Sequence, residues 1–205
     1  MKRPLGLLAP VLLCGVLAAA TSPSPAAETK KKLPVRSDFT SDLVANLTRA
    51  GGQLASLAEA TPPDKFAWRP TDDVRRMSEV YMHVATANTL LPVLLGAVPP
   101  KGVTIPEKPF DLGRTWEAEV TSKEAVIARL KESFEYAAAA IRAMPAKSLD
   151  DEADVFGFPA SKRAYLLILM SHAHEHLGQA VAYARTVGVV PPWSAPAKAA
   201  AGGGA

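Results

Sequence analysis

The sequence predicts an all-α fold, a four-helix bundle with long Pro/Gly-rich connections. Three observations lead to it. Apolar residues recur at three- and four-residue spacing in four separate segments. Capping residues, prolines or glycines bound these segments where helices start and stop. No stretch alternates apolar and polar residues with the period of two that a half-buried strand requires.

The first helix is expected from about Asp38 to Ala60, with Phe39, Leu43, Leu47, Leu54 and Leu57 on one stripe. Gly51-Gly52 weakens its middle, and Thr61-Pro62-Pro63 stops it. The second runs from about Met77 to Leu95 on Val80, Val84, Ala87 and Leu91, with His83 beside the stripe. Pro92 kinks or ends its last turn. The third opens on Thr121-Ser-Lys-Glu124, which reads as a capping box, and Pro145 ends it. The fourth starts near Ser161, an N-cap residue, and stops at Gly188 after Thr186 or Val187. Two long connections, 96–120 and 145–160, carry many Pro and Gly residues. Four amphipathic helices of this length bury their stripes against one another, and such bundles build metal and cofactor sites from facing helices.

The ends of the chain read differently. Met1-Lys2-Arg3 is a short basic start, followed by an apolar run from Leu5 to Ala20 and then small residues. This is the layout of a secretory signal peptide, assigned to residues 1–26, with cleavage sites after Ala20 or Ala26. A retained membrane anchor needs about 20 apolar residues, and this run is shorter. The expected localisation is therefore exported, periplasmic or secreted, with no stable membrane insertion after cleavage. Residues 27–36 read as a linker, residues 37–194 as the bundle, and the low-complexity residues 195–205 as a disordered tail.

Processing also removes Cys14, the only cysteine, so disulfides and a cysteine nucleophile are excluded from the mature chain. The full chain has 23 basic and 20 acidic residues, and losing Lys2 and Arg3 leaves 21 against 20. With no basic patch interleaved with aromatics, nucleic acid is excluded as a partner.

Chemistry then falls to the four histidines, three of which lie in His172-Ala-His174-Glu175-His176. On a helix, residues four apart are offset by about 40°, so His172 and His176 share a face, whereas His174 lies about 200° from His172. Leu169, Ala180 and Tyr183 follow the same stripe, so the pair is expected to look into the bundle. Buried imidazoles need compensation, and a divalent ion supplies it. His83 is the one further histidine and borders an apolar stripe on another helix, which predicts a three-His site of His83, His172 and His176 with open positions for water or substrate. The bland alternatives are a hydrogen-bonded core histidine at 83 and a solvated one at 174.

The same residues satisfy H-x-x-E-H, a zinc-protease signature with Glu175 as base. Proteases of that type take an acidic third ligand well downstream, and none of the 29 residues after His176 is Asp or Glu. Other polar residues are less specific. Gln179 shares the face of His172, and Tyr183 and Glu175 are weak candidates for moving protons. Asn88 suits a helix interface, and Trp68 and Trp193 suit packing against the bundle or walling a pocket.

Two blocks carry a resemblance. His172-Ala-His-Glu-His176-Leu-Gly-Gln179, with Tyr183-Ala-Arg185 and Gly188-Val-Val-Pro-Pro-Trp-Ser194, resembles the end of DinB-like proteins. Phe66-Ala-Trp68-Arg-Pro70, Val74-Arg75 and Glu79-Val80-x-x-His83-Val84-Ala85 resembles their second-helix region. The resemblance spans about residues 38–194. It implies a four-helix bundle of the DinB-like type in which His83, His172 and His176 bind a divalent metal, with zinc or nickel foremost and iron or manganese as alternatives. It also implies metal-dependent hydrolases or thiol-using transferases, and frequent homodimers. Two departures stand out. Ala173 replaces an acidic residue common after the first histidine of the pair. Arg76 stands where Ser often caps the second helix, which shifts the helix start to Ser78 or changes its capping. The signal peptide counts against a role that uses cytosolic thiols.

The expected function is thus an exported metal-dependent enzyme of hydrolase or transferase type acting on an unidentified small molecule. The alternatives are a non-catalytic metal- or ligand-binding envelope protein and a metal-free helical interaction domain.

Overall fold

A computed structural model describes residues 38–155 and 157–195. The proposed signal peptide and linker lie outside these residues, as does the proposed tail beyond Ala195. Five helices make up most of the described chain: α1 (Phe39–Ala60), α2 (Met77–Leu94), α3 (Asp111–Glu119), α4 (Lys123–Ala143) and α5 (Lys162–Thr186). None is long and apolar enough to cross a membrane.

The four long helices match the four expected segments, and local chemistry sets their ends. The Asp38 carboxylate accepts from the Ser41 N–H at 2.8 Å and caps α1. Lys123 Nζ donates to the carbonyls of Glu59 (2.7 Å) and Thr61 (2.8 Å), which satisfies groups left free where α1 ends. In α2 the start is Met77, not Ser78. Arg76 has no hydroxyl to offer, but its N–H donates to Glu79 Oε2 at 2.6 Å, so one half of a capping box remains. Pro92 lies inside α2, which continues to Leu94. The cap of α4 is Ser122 rather than Thr121, its hydroxyl accepting from the Ala125 N–H. Ser161 caps α5 in the same way, and Gly188 follows the end of that helix.

The helices bury their apolar stripes in one core that includes Leu47, Leu54, Met77, Leu130, Ile141 and Leu166. In α1, Gly51 brings the backbone against Phe134 of α4: a Cβ there would lie 2.6 Å from Phe134 Cγ. Asn88 of α2 donates to Ser133 of α4 at 3.2 Å, which fixes it as a helix-interface residue.

Two elements differ from the sequence reading. The connection 96–120 contains α3, anchored by the buried side chains of Leu112 and Trp116. Arg129 of α4 stacks over the Trp116 ring at 4.6 Å. Gly113 sits where a Cβ would be 3.3 Å from Thr86 Cγ2, so α3 approaches α2 closely. The connection 145–160 contains nearly all of a small antiparallel ladder, β1 (Glu152–Asp154) against β2 (Pro159–Ser161). Three-residue strands are too short to show an alternating pattern, which is why none was legible.

Candidate metal centre

The centre is built from α2 and α5. His83 lies in the second turn of α2, and His172 and His176 lie one turn apart in the middle of α5. Their ring centroids are 4.8 Å (83–172), 4.8 Å (83–176) and 4.4 Å (172–176) apart. One ring nitrogen from each lies within 4.8 Å of the other two. All three rings are half-buried, and His83 and His172 line a cavity rather than lying wholly within the closed core.

The orientations of two of the rings have a cause. The His176 Nδ1 sits 2.7 Å from Gln179 Oε1, which makes Nδ1 the protonated nitrogen and leaves Nε2 with its lone pair. Gln179 Nε2 in turn donates to the Tyr183 hydroxyl at 3.2 Å, and the Tyr183 ring meets Trp68 edge-on at 5.4 Å. Tyr183 and Gln179 therefore brace His176. On the other side, the His83 Nδ1 lies 3.6 Å from Glu117 Oε1, beyond a direct hydrogen bond but within ion-pair range. The same carboxylate oxygen accepts from Arg75 Nε at 3.0 Å. This arrangement turns the His83 Nε2 toward the cluster, 3.1 Å from the His172 Nε2.

Two neutral imidazoles at that separation can share one proton, but a third lone pair converging on the same place is then left without a donor. A cation satisfies all three at once. Zinc–nitrogen bonds of about 2.0–2.1 Å in a tetrahedron put ligand nitrogens about 3.3 Å apart, close to the 3.1 Å between His83 and His172. The donor set, all imidazole, suits zinc, nickel, iron and copper. His172 Nδ1 is buried without a hydrogen-bond partner, the one unbraced ring of the three.

Electrostatics favour the neutral form of the two α5 rings. Burial, with His176 and His83 adding to it, pushes the His172 pKa down to about 3. Burial also lowers that of His176, against a raising hydrogen bond to Gln179. Burial of Glu117 works to raise its pKa, but His83 and Arg75 outweigh it and hold the carboxyl below its ordinary value.

The cluster opens on a cavity of about 430 Å³ between α2, α3 and α5, lined at one end by Arg75, His83, Glu117 and His172. Glu117 and its partner Arg75 line the candidate site; the sequence reading named Arg75 only within a resemblance block and did not name Glu117. The signal was the pair Leu112 and Trp116, four residues apart, which marks an amphipathic turn inside an apparent loop. Glu175 is exposed. The His174 Nδ1 instead bonds the Met170 carbonyl at 2.9 Å, turned away from the cluster as its helical offset required.

Comparison with known proteins agrees with this architecture. None of the curated proteins compared matches the sequence. Three solved structures share the fold. A DinB-like protein from Bacillus cereus is 16% identical, covering 73% of this chain and 93% of its own, with a TM-score of 0.60. A DinB-like protein from Bacillus subtilis is 21% identical over 73% of this chain and 93% of its own, with a TM-score of 0.55. A conserved protein from Enterococcus faecalis is 16% identical over 74% and 98%, with a TM-score of 0.57. At such identities the likeness is one of fold. The DinB superfamily sequence model, however, matches residues 46–180, which takes in both histidine-bearing helices and more than half of the 205 residues. On that match the chain belongs to the DinB superfamily.

Proposed function

We propose that this protein is an exported enzyme of hydrolase or transferase type that binds one divalent cation through His83, His172 and His176. The observation that carries the reading is the convergence of three imidazole nitrogens, from two helices, within 4.8 Å. Export is supported by the basic start and apolar run of residues 1–20. Zinc and nickel are among the metals that an imidazole set suits.

When bound, such a cation acts as a Lewis acid, polarising a substrate oxygen or sulfur and lowering the pKa of water beside it. The chain's own residues supply the remainder. Gln179 keeps the His176 proton on Nδ1, and Glu117 faces the His83 Nδ1, so both Nε2 lone pairs stay available. Glu117 also offsets the Arg75 guanidinium, which would otherwise repel a cation. The apolar walls of the cavity exclude water from one side of the centre.

A site with no acid near the histidines would favour the non-catalytic alternative. Glu117, which lines the same cavity as His83 and His172, supports catalysis instead. Elemental analysis of untagged protein, loaded with zinc, nickel, iron or manganese and then dialysed, tests the binding step. About one equivalent in wild type and none in His172→Ala is expected; no retained metal in wild type overturns it. Turnover of ester, amide and thiol-conjugation substrates, abolished in His83→Ala, tests the catalytic step.

A further inference from the structure

The cavity beside the histidines is chemically divided. At one end stand Arg75, His83, Glu117 and His172; the rest is lined mainly by Leu90, Leu91, Leu94, Ile168 and Leu169, with Thr86 and with Arg114, whose exposed guanidinium is paired with Asp111. The division follows from helix geometry. On α2, residues 83, 87, 90, 91 and 94 form one stripe, because steps of three and four stay on one face. On α5, Ile168 and Leu169 stand one turn before His172 on the same face. The apolar residues thus extend toward the C-terminal end of α2 and the N-terminal direction of α5, and the two helices run oppositely along the cavity. From His83 to Leu94 the wall is about 16 Å long at 1.5 Å per residue.

The charged groups at the histidine end are engaged with each other. Arg75 is paired with Glu117 at 3.0 Å, so no uncompensated cation sits there to select a strongly charged body. The rim carries Ile168, 47% exposed, a large apolar side chain open to solvent at the cavity mouth. A cavity of about 430 Å³ falls within the range that holds small organic ligands.

We infer that the substrate is an amphiphile: a hydrocarbon body that lies along the α2–α5 wall, ending in an oxygen- or sulfur-bearing head presented to the histidines. The inference rests on the proposed metal-dependent function for the role of the head, and on the cavity alone for the body. Head and body are read by different residues, so their contributions separate. Burying each methylene is worth about 0.8 kcal/mol, so affinity rises up to about four-fold per added carbon until the cavity is full.

The test is calorimetric titration of the full protein, metal-loaded and metal-free, with straight-chain alkyl hydroxamates from acetohydroxamate upward. In wild type, affinity climbs with chain length and then levels off, and metal strengthens every member by a similar factor. Ala87→Phe, which fills the middle of the wall, flattens the climb while the metal content stays near wild type. Ile168→Asp, at an exposed position that does not threaten folding, lowers affinity for the long chains and spares acetohydroxamate. His172→Ala removes the metal increment and keeps the climb. A wild-type affinity independent of chain length overturns the inference even if metal binds. A chain-length climb with no metal increment leaves the amphiphile site standing and sinks the metal-dependent function.

Discussion

Glu117 reaches the back of His83: its Oε1 stands 3.6 Å from the His83 Nδ1, on the side of the ring away from His172. The contact joins the short α3 to the centre on α2 and α5. It also ties Arg75 in, because the same oxygen accepts from Arg75 Nε. In the proposed metal centre, a carboxylate in this position would help orient the His83 ring and raise its basicity.

Glu117→Gln keeps the shape of this contact and removes its charge. Metal affinity, measured by competition with a coloured chelator, is expected to fall by about 10- to 100-fold, the usual loss for an outer partner of a metal ligand. The melting temperature of the metal-free protein should change little, since Glu117 is partly exposed. Unchanged affinity would remove Glu117 from the account of the site.

The bracing of His176 predicts a graded series. Gln179→Ala frees the ring and should weaken metal binding more than Tyr183→Phe, which loses only the 3.2 Å bond from Gln179 Nε2. Tyr183→Phe is expected to lower stability by about 0.5–1.5 kcal/mol, the net worth of one hydrogen bond. Urea melts and chelator competition on the same samples check both. A larger metal defect in Tyr183→Phe than in Gln179→Ala would reverse the proposed order of support.

Metal-free protein should lose stability as pH falls from about 6.5 toward 3. Burial keeps the folded His172 pKa near 3, against an ordinary value of 6.5. Above 6.5 the ring is neutral in both states and adds no pH dependence. Below 6.5 the unfolded chain binds the proton first, so unfolding is favoured progressively until the folded ring also titrates. His176 shifts in the same direction, again chiefly through burial. Thermal melts of chelator-treated protein between pH 8 and pH 4 measure this slope. His172→Ala should make it shallower; an equal slope in the variant would deny that this ring is buried neutral.

Gly51→Ala should destabilise the bundle, by about 1–3 kcal/mol, as overpacking does. The new methyl would meet Phe134 at 2.6 Å, and Phe134 is itself buried. Gly52→Ala, where a Cβ meets nothing within 4 Å, should be stabilising or neutral, since alanine favours helix over glycine. Denaturant unfolding of the two variants side by side reads the difference. Phe134→Leu in the Gly51→Ala background should recover part of the loss.

The legible part of this protein lies in local patterns. Spacing of three and four along α1, α2, α4 and α5, with Ser161 as a cap, is enough to set the helices, because helix periodicity and capping are properties of neighbouring residues. The shared face of His172 and His176 is legible for the same reason, and so is the exclusion of His174. The helix α3 was obscured because nine residues with only Leu112 and Trp116 for a stripe give little periodic signal among flanking Pro and Gly residues. Without α3 there was no means of seeing Glu117 beside the site.

Which residues can bind was therefore written in the amino-acid order, as was the helical class of the fold. Where those residues meet was not. The 3.1 Å approach of His83 to His172, the reach of Glu117 to both His83 and Arg75, and the divided cavity all join parts of the chain far apart in order. Such contacts depend on how α2, α3 and α5 pack. That packing is set by side-chain volumes such as Gly113 against Thr86 and Trp116 beneath Arg129, and helical periodicity carries no record of it.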